Sequence, residues 1–244
     1  MSSTSPYRAQ TLSVTALDAA LREQMCELYL RHFDGTSAAL FFSDLVEKDR
    51  VVLMFHEGTL VGFSTFKFYE MPWQGKNVRV AFSGDTIVDR MHWGHHALNF
   101  GCISELARVR ADAPGMPMYW LLPVKGHRTY KYMTVFVKRF FPHWLNTTPD
   151  LQDLAYRLAE ARFGACFDKA TGVVRFPESH GHLKADIAEA SESELHKPGV
   201  RFFLQKNPGY RQGNELVCLC ELDTDNLKPM AARIFAAATA LRHV

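Results

Sequence analysis

The stretch 78-VRVAFSGDTIVDRMHWGHHALNFGCISELARVR-110 changes its apolar period midway, and that change decides the fold. Val80, Phe82, Thr86 and Val88 mix β-branched and aromatic residues as a strand does, and the Ser83-Gly84-Asp85 interruption predicts a bulge or a close backbone approach within it. After Asp89 the strand pattern stops, Gly94 relaxes the chain, and Leu98, Cys102, Leu106 and Val109 recur at helical spacing. A strand thus feeds a helix N-terminus. First-turn N–H groups lack partners inside a helix, and with the helix dipole they form a site for a phosphate or another anion. A β-α turn with no ligand is the plainer alternative, since one glycine is weak evidence for a phosphate cradle.

Outward from this stretch, 244 residues with 47% hydrophobic content suffice for one large α/β domain, or for a domain carrying an insertion. A formal net charge of +2 from 28 basic and 26 acidic residues, without a long basic run, gives no footprint for nucleic acid. The densest basic segment, 125–139, is interleaved with apolar residues and reads as the solvated face of a helix. No apolar window is long enough to span a bilayer, and MSSTSPYRAQ lacks the order of a signal peptide, so a cytoplasmic protein without membrane partners is expected. The 5 cysteines show no framework spacing and fit reduced thiols; Cys218 and Cys220 share one face of a strand as core packing.

In chain order, 11–15 reads as a strand, Asp18 caps a helix with Leu21, Met25, Leu28 and Tyr29 on one face, and Asp34-Gly35 ends it. Thr36 or Ser37 starts a second helix. Residues 51–55 and 60–69 form a hairpin around His56-Glu57-Gly58, and 71–77 makes a connection to the central strand. Beyond the central helix, 118–124 reads as a buried strand and 128–141 as a helix stopped by Pro142. A helix over 150–163 opens a loosely patterned segment, 145–197, read as an insertion. Residues 200–205 and 215–222 then read as an antiparallel pair, and 226–241 as the last helix.

This order, with its central strand-loop-helix, resembles the GNAT superfamily of acyl-CoA-dependent acyltransferases over roughly residues 12–141 and 200–222. The resemblance implies a single domain over 1–244, with a mixed central sheet flanked by helices, an insertion at 145–197 before the last strands, and a C-terminal helix. In that family the loop entering the third helix carries an Arg or Gln followed by glycines that hold the coenzyme A pyrophosphate, and the preceding strand pairs with the pantetheine arm. The matching residues here are Trp93-Gly94-His95-His96-Ala97-Leu98, which keep one glycine and place Trp93 where Arg or Gln is usual. Coenzyme A contacts are therefore expected from Ile87, Val88, Trp93, Gly94, His95, His96 and Ala97. A side chain at a glycine position obstructs close phosphate approach. Either the two histidines donate to the phosphate, or the acyl group arrives on an acyl carrier protein.

Acyl transfer from a thioester needs a base for the attacking amine or hydroxyl, donors for the oxyanion and an acid for the departing thiolate. The resemblance assigns the base to Asp85, and the backbone around Ile87 and Val88 to the thioester. Asp85 also has a structural alternative, since Ser83, Asp85 and Thr86 are able to satisfy exposed backbone at a bulge. The acid falls on Tyr130, with Tyr132 on another face and His127 as a loop or capping residue. His92, His95 and His96 cluster, as do His180 and His182, but no ligand spacing is completed and no metal is expected. The expected activity is N- or O-acylation of a small-molecule acceptor with acyl-CoA as co-substrate. The alternative is a non-catalytic ligand-binding or sensing protein on the same fold.

Overall fold

In the computed structural model, which describes residues 5–240, the chain runs β1 (Tyr7–Ser13), α1 (Ala19–His32), β2 (Phe33–Asp34), α2 (Ala38–Leu45), β3 (Arg50–His56), β4 (Thr59–Trp73), β5 (Lys76–Val88), α3 (Ala97–Ala111), β6 (Met118–Val124) and α4 (His127–Phe136). It continues through α5 (Pro149–Phe163), β7 (Phe167–Asp168), β8 (Val173–Val174), β9 (His182–Leu183), the single turns α6 (Ala185–Ala188) and α7 (Glu192–Leu195), α8 (Pro198–Lys206), β10 (Glu215–Glu221) and α9 (Pro229–Ala240).

The main sheet has the order β1-β3-β4-β5-β6-β10-β8-β7. Its ladders are antiparallel except for β5 with β6, which are parallel and are joined by the α3 crossover. The fold is thus a mixed α/β sheet flanked by helices. Strand alternation sorts the core. Val51, Leu53 and Phe55 face α1 and α2, whereas Val52 and Met54 face the side covered by α3 and α9. Further along, Val80, Leu121, Val217 and Leu219 pack against Leu151, Leu154 and Leu158 of α5, while Trp120, Leu122, Cys218 and Cys220 join the α3–α4 side. Burying each such aliphatic or aromatic side chain contributes about 1.5–3 kcal/mol. The helix starts follow the sequence: Asp18 Oδ1 accepts from Leu21 N at 2.8 Å, and Ser37 Oγ from Leu40 N at 3.2 Å.

Some elements differ from the sequence expectation. Residues 200–205, expected as a strand, lie in α8. Pro198 suits the first helical turn, and the helical i, i+3 spacing puts Val200 and Phe203 together in the buried side. The antiparallel partners of β10 are instead β6, with Leu219 opposite Leu121, and β8, with Leu216 opposite Val173. The 71–77 connection is a continuation of β4 and β5 into a tight hairpin, Trp73 pairing Lys76, with Gln74 and Gly75 both at positive φ. The first strand begins at Tyr7 rather than near residue 11. Helix α4 stops at Phe136 because the chain then bridges to Leu227 at Val137 and to Leu219 at Phe141. The expected end of the last helix at Leu241 lies outside the described residues.

The 145–197 segment packs against this sheet: α5 covers one face, β8 pairs with β10, and β9 pairs with β2. Among the described residues, no helix is long and apolar enough to cross a membrane.

Candidate active site

Strand β5 leaves its parallel neighbour halfway. Pairing with β6 runs from Arg79–Met118 to Phe82–Leu121 and stops, although both strands continue. The cause lies on the other edge of β5. Ser64 pairs with Thr86 and Phe66 with Ser83, so Gly84 and Asp85 together oppose Thr65. This is a bulge, as the sequence predicted, and a bulge bends its strand and raises the local twist. Gly84 is required by packing: a Cβ there would press on Thr65 Oγ1 and come within 2.7 Å of Lys48 Cε.

Two cavities, each of about 360 Å³, open on either side of the resulting gap. Thr86, Gly126, Thr129 and Leu183 line both, so these four residues form the partition between them. Leu183 reaches the partition because β9 pairs with β2, placing Leu183 opposite Phe33. Its Cδ1 lies over Gly126, where a Cβ would be 2.8 Å away.

The first cavity holds Asp85 with Asp44, Glu47 and Glu215, and an apolar wall that includes Phe41, Phe82, Phe163 and Phe176. Most of the carboxylates are paired: Asp44 with Lys48 at 2.5 Å, Glu215 with Lys125 at 3.4 Å, and Glu47 loosely with Arg162 at 3.8 Å. Among the described residues, the half-buried Asp85 makes no hydrogen bond or close ion pair. Desolvation and the nearby Asp44 carboxylate push its pKa up to about 6, against the pull of Lys125 and Lys48. The hydroxyls of its neighbours bond to side chains rather than to the bulge backbone. Ser83 Oγ accepts from Trp120 Nε1 at 2.6 Å, and the Thr86 and Ser64 hydroxyls are bonded at 2.8 Å.

The second cavity is lined by Ile87, Val88, Trp93, Gly94, His95 and His96, all expected at a donor site; Ala97 begins α3 behind them. Helices α3 and α4 both start at this cavity, and neither carries a side-chain cap, so their first N–H groups are available to a ligand. Arg128 and Lys131 add positive charge. Trp93 does not act as a phosphate donor. Its indole N–H donates to the Val88 carbonyl at 2.8 Å, and its ring carries the Arg128 guanidinium at 4.4 Å. Arg128 in turn donates to the Ile187 carbonyl at 2.6 Å and to Glu194 at 3.0 Å, tying residues 187–194 to the cavity rim.

Tyr130 requires a correction. It is buried to 1% exposure, outside both cavities, because its hydroxyl donates to the Pro142 carbonyl at 2.7 Å. The ring faces Phe140, Phe202 and Phe203. Tyr132 and His127 line the second cavity instead. His127, expected as a loop or capping residue, is the first residue of α4, and neither ring nitrogen makes a hydrogen bond. Its Nε2 stands 3.5 Å from Glu194 Oε1. Burial, then the Arg128 charge, lower its pKa and favour the neutral ring. Three other histidines meet aromatic side chains: His95 stacks on Tyr7 at 3.8 Å, His92 Nδ1 lies 2.9 Å from Tyr7 Oη, and His180 stacks on Phe176 at 4.0 Å.

Sequence reasoning missed Asp44, Lys48, Lys125, Arg162, Leu183 and Glu215, which come from separate elements with no common spacing.

Neither a protein-family model nor a curated protein sequence matches the chain. Solved structures do. A probable N-acyltransferase from Enterococcus faecalis matches 61% of this chain at 13% identity and a TM-score of 0.41, and the match spans only 42% of that longer protein. A GNAT-family N-acetyltransferase from Escherichia coli in complex with coenzyme A matches 53% of this chain and 68% of its own, at 17% identity and a TM-score of 0.37. A ribosomal-protein-alanine N-acetyltransferase from Brucella melitensis matches 58% and 99%, at 15% identity and a TM-score of 0.41. Such partial likenesses carry no argument about activity. The chain is similar to GNAT-type N-acyltransferases in its course.

Proposed function

We propose that the protein transfers an acyl group from a thioester donor in the second cavity to a small amine in the first, across the partition at Thr86, Gly126, Thr129 and Leu183. The observation that carries this reading is the joining of two unlike cavities at one strand gap. One offers helix N-termini and cations suited to a phosphorylated donor; the other offers carboxylates suited to an ammonium.

Asp85 is the base. With its pKa near 6 it is ionised at neutral pH, yet it holds a proton more readily than an ordinary carboxylate does. It takes the proton from the ammonium, and the free amine attacks the thioester carbonyl to form the C–N bond. Past Phe82 the β5 edge has no ladder to β6, and its N–H groups receive the oxyanion. Collapse breaks the C–S bond and releases a thiolate facing the start of α4, where helix N–H groups stabilise the sulfur anion; the second proton of the attacking nitrogen passes to that sulfur, which leaves as the free thiol. A side-chain acid is not needed for that step, and Tyr130 does not supply one. An amine is favoured over a hydroxyl because the first cavity is lined by Asp44, Glu47, Asp85 and Glu215.

Acyl-CoA is the preferred donor and an acyl carrier protein the second candidate. The test is free-thiol release from acyl-CoAs of increasing length, and from a carrier-linked acyl group, with and without amines. Acceptor-dependent release supports transfer. Donor binding without any release supports the non-catalytic alternative.

A further inference from the structure

Among the described residues, Asp85 has no partner in the first cavity, and Arg162 has only a loose one. The Asp85 carboxylate has no hydrogen bond or close ion pair. Arg162, the basic residue in the last turn of α5, makes no hydrogen bond, and its Nε is buried without a partner. Its nearest carboxylate, Glu47, is 3.8 Å away and 57% exposed, which leaves the pair in water's reach and weak. The other cations of this region are engaged. Lys125 Nζ donates to the His180 carbonyl at 2.9 Å and pairs with Glu215, and Lys48 Nζ donates to the Asp44 carbonyl at 3.1 Å and pairs with the Asp44 side chain.

The guanidinium is also held in place. It lies over the Phe82 ring at 3.7 Å, so its fork of donors is fixed by stacking although no acceptor holds it. A guanidinium that is oriented by stacking, 19% exposed and only loosely paired suits a planar anion, and a carboxylate accepts two parallel bonds from it. Phe163, whose ring is 5.9 Å from the guanidinium, and Phe176, 6.2 Å from Phe163 ring to ring, give the same cavity an apolar wall.

We infer that the acceptor is a small amino acid with an apolar body, its carboxylate on Arg162 and its amine at Asp85. This rests on the first cavity being the acceptor side. A volume of about 360 Å³ lies at the small end of ligand sites, which suits a free amino acid better than a folded protein surface.

The experiment uses the full chain with three probes of one carbon skeleton: phenylalanine, phenethylamine and 3-phenylpropionate. Binding is read by calorimetry and transfer by thiol release from acetyl-CoA. Phenylalanine is expected to bind at least about tenfold more tightly than either probe lacking one charge, since each forfeits a charge-assisted contact. In Arg162→Gln the advantage over phenethylamine should vanish, and Arg162→Lys should recover only part of it. Equal binding of phenylalanine and phenethylamine overturns the inference, as does an unchanged ratio in a cooperatively folded Arg162→Gln. The wild-type comparison decides if that variant does not fold. Transfer to amines without a carboxylate preference sinks the amino acid and leaves the transferase standing. Arg162-dependent binding without transfer does the reverse.

Discussion

The indole N–H of Trp93 donates to the carbonyl of Val88 at 2.8 Å, and His32 Nε2 faces the same oxygen at 3.2 Å. The protein therefore occupies a strand acceptor that an extended donor arm would use in pairing with β5. Trp93→Phe keeps a ring under Arg128 and removes the N–H. Freeing one hydrogen-bonding group is worth about 1 kcal/mol, so coenzyme A should bind roughly fivefold more tightly to the variant by titration calorimetry. Unchanged or weaker binding would mean that the arm does not pair at Val88.

Asp85→Asn separates catalysis from stability. Turnover should fall by about a hundredfold or more. In the wild type the rate should rise with pH through about 6 as the base form accumulates, and the variant should lose that inflection. Stability moves the other way. The folded pKa lies above the ordinary 3.8, so the folded chain binds the proton more tightly, and wild-type stability declines as pH rises from about 4 to 6. The amide cannot ionise, so the variant should be more stable at pH 7, by roughly 1 to 3 kcal/mol. A less stable variant with normal turnover would return Asp85 to a structural role.

Tyr130→Phe is a stability variant. It strands the Pro142 carbonyl in the core, which costs about 1–3 kcal/mol, and a lower melting temperature with near-normal turnover is expected. A well-folded variant whose chemical step slows by orders of magnitude would restore the tyrosine as the acid.

Gly126→Ala tests the partition. Its φ of −140° suits any residue, so the backbone tolerates the change, but the new Cβ meets Leu183 Cδ1 at 2.8 Å. The expected result is a loss of about tenfold or more in kcat/KM, with donor binding retained, because small misplacements at the reacting atoms are costly. Leu183→Ala in the same chain should relieve the crowding and recover turnover. Full activity in Gly126→Ala would show that the acyl group passes elsewhere.

Local pattern determined a good part of this protein. The apolar run of β3, the β-branched and aromatic residues of β5, the Asp18 and Ser37 caps, the Ser83-Gly84-Asp85 bulge and the strand-to-helix turn at Gly94 depend on neighbours within a few residues. The set that lines the second cavity from Ile87 to His96 was expected from the resemblance of that loop to the GNAT donor loop. The 200–205 stretch was misread because short apolar runs fit either period; Pro198 and the packing of Phe203 made it helical. Tyr130 was misassigned for a related reason. Position on a helix fixes which face a side chain takes, but not what covers that face, and here the Pro142 carbonyl covers it. Apart from Asp85, the first cavity was out of reach. Asp44, Asp85, Lys125, Arg162 and Glu215 come from α2, β5, the β6–α4 turn, α5 and β10, and only the sheet order and the β5–β6 gap bring them together. Charge pairing through space, which leaves Asp85 without a partner and Arg162 with only a loose one among the described residues, depends on distances that a sequence does not carry.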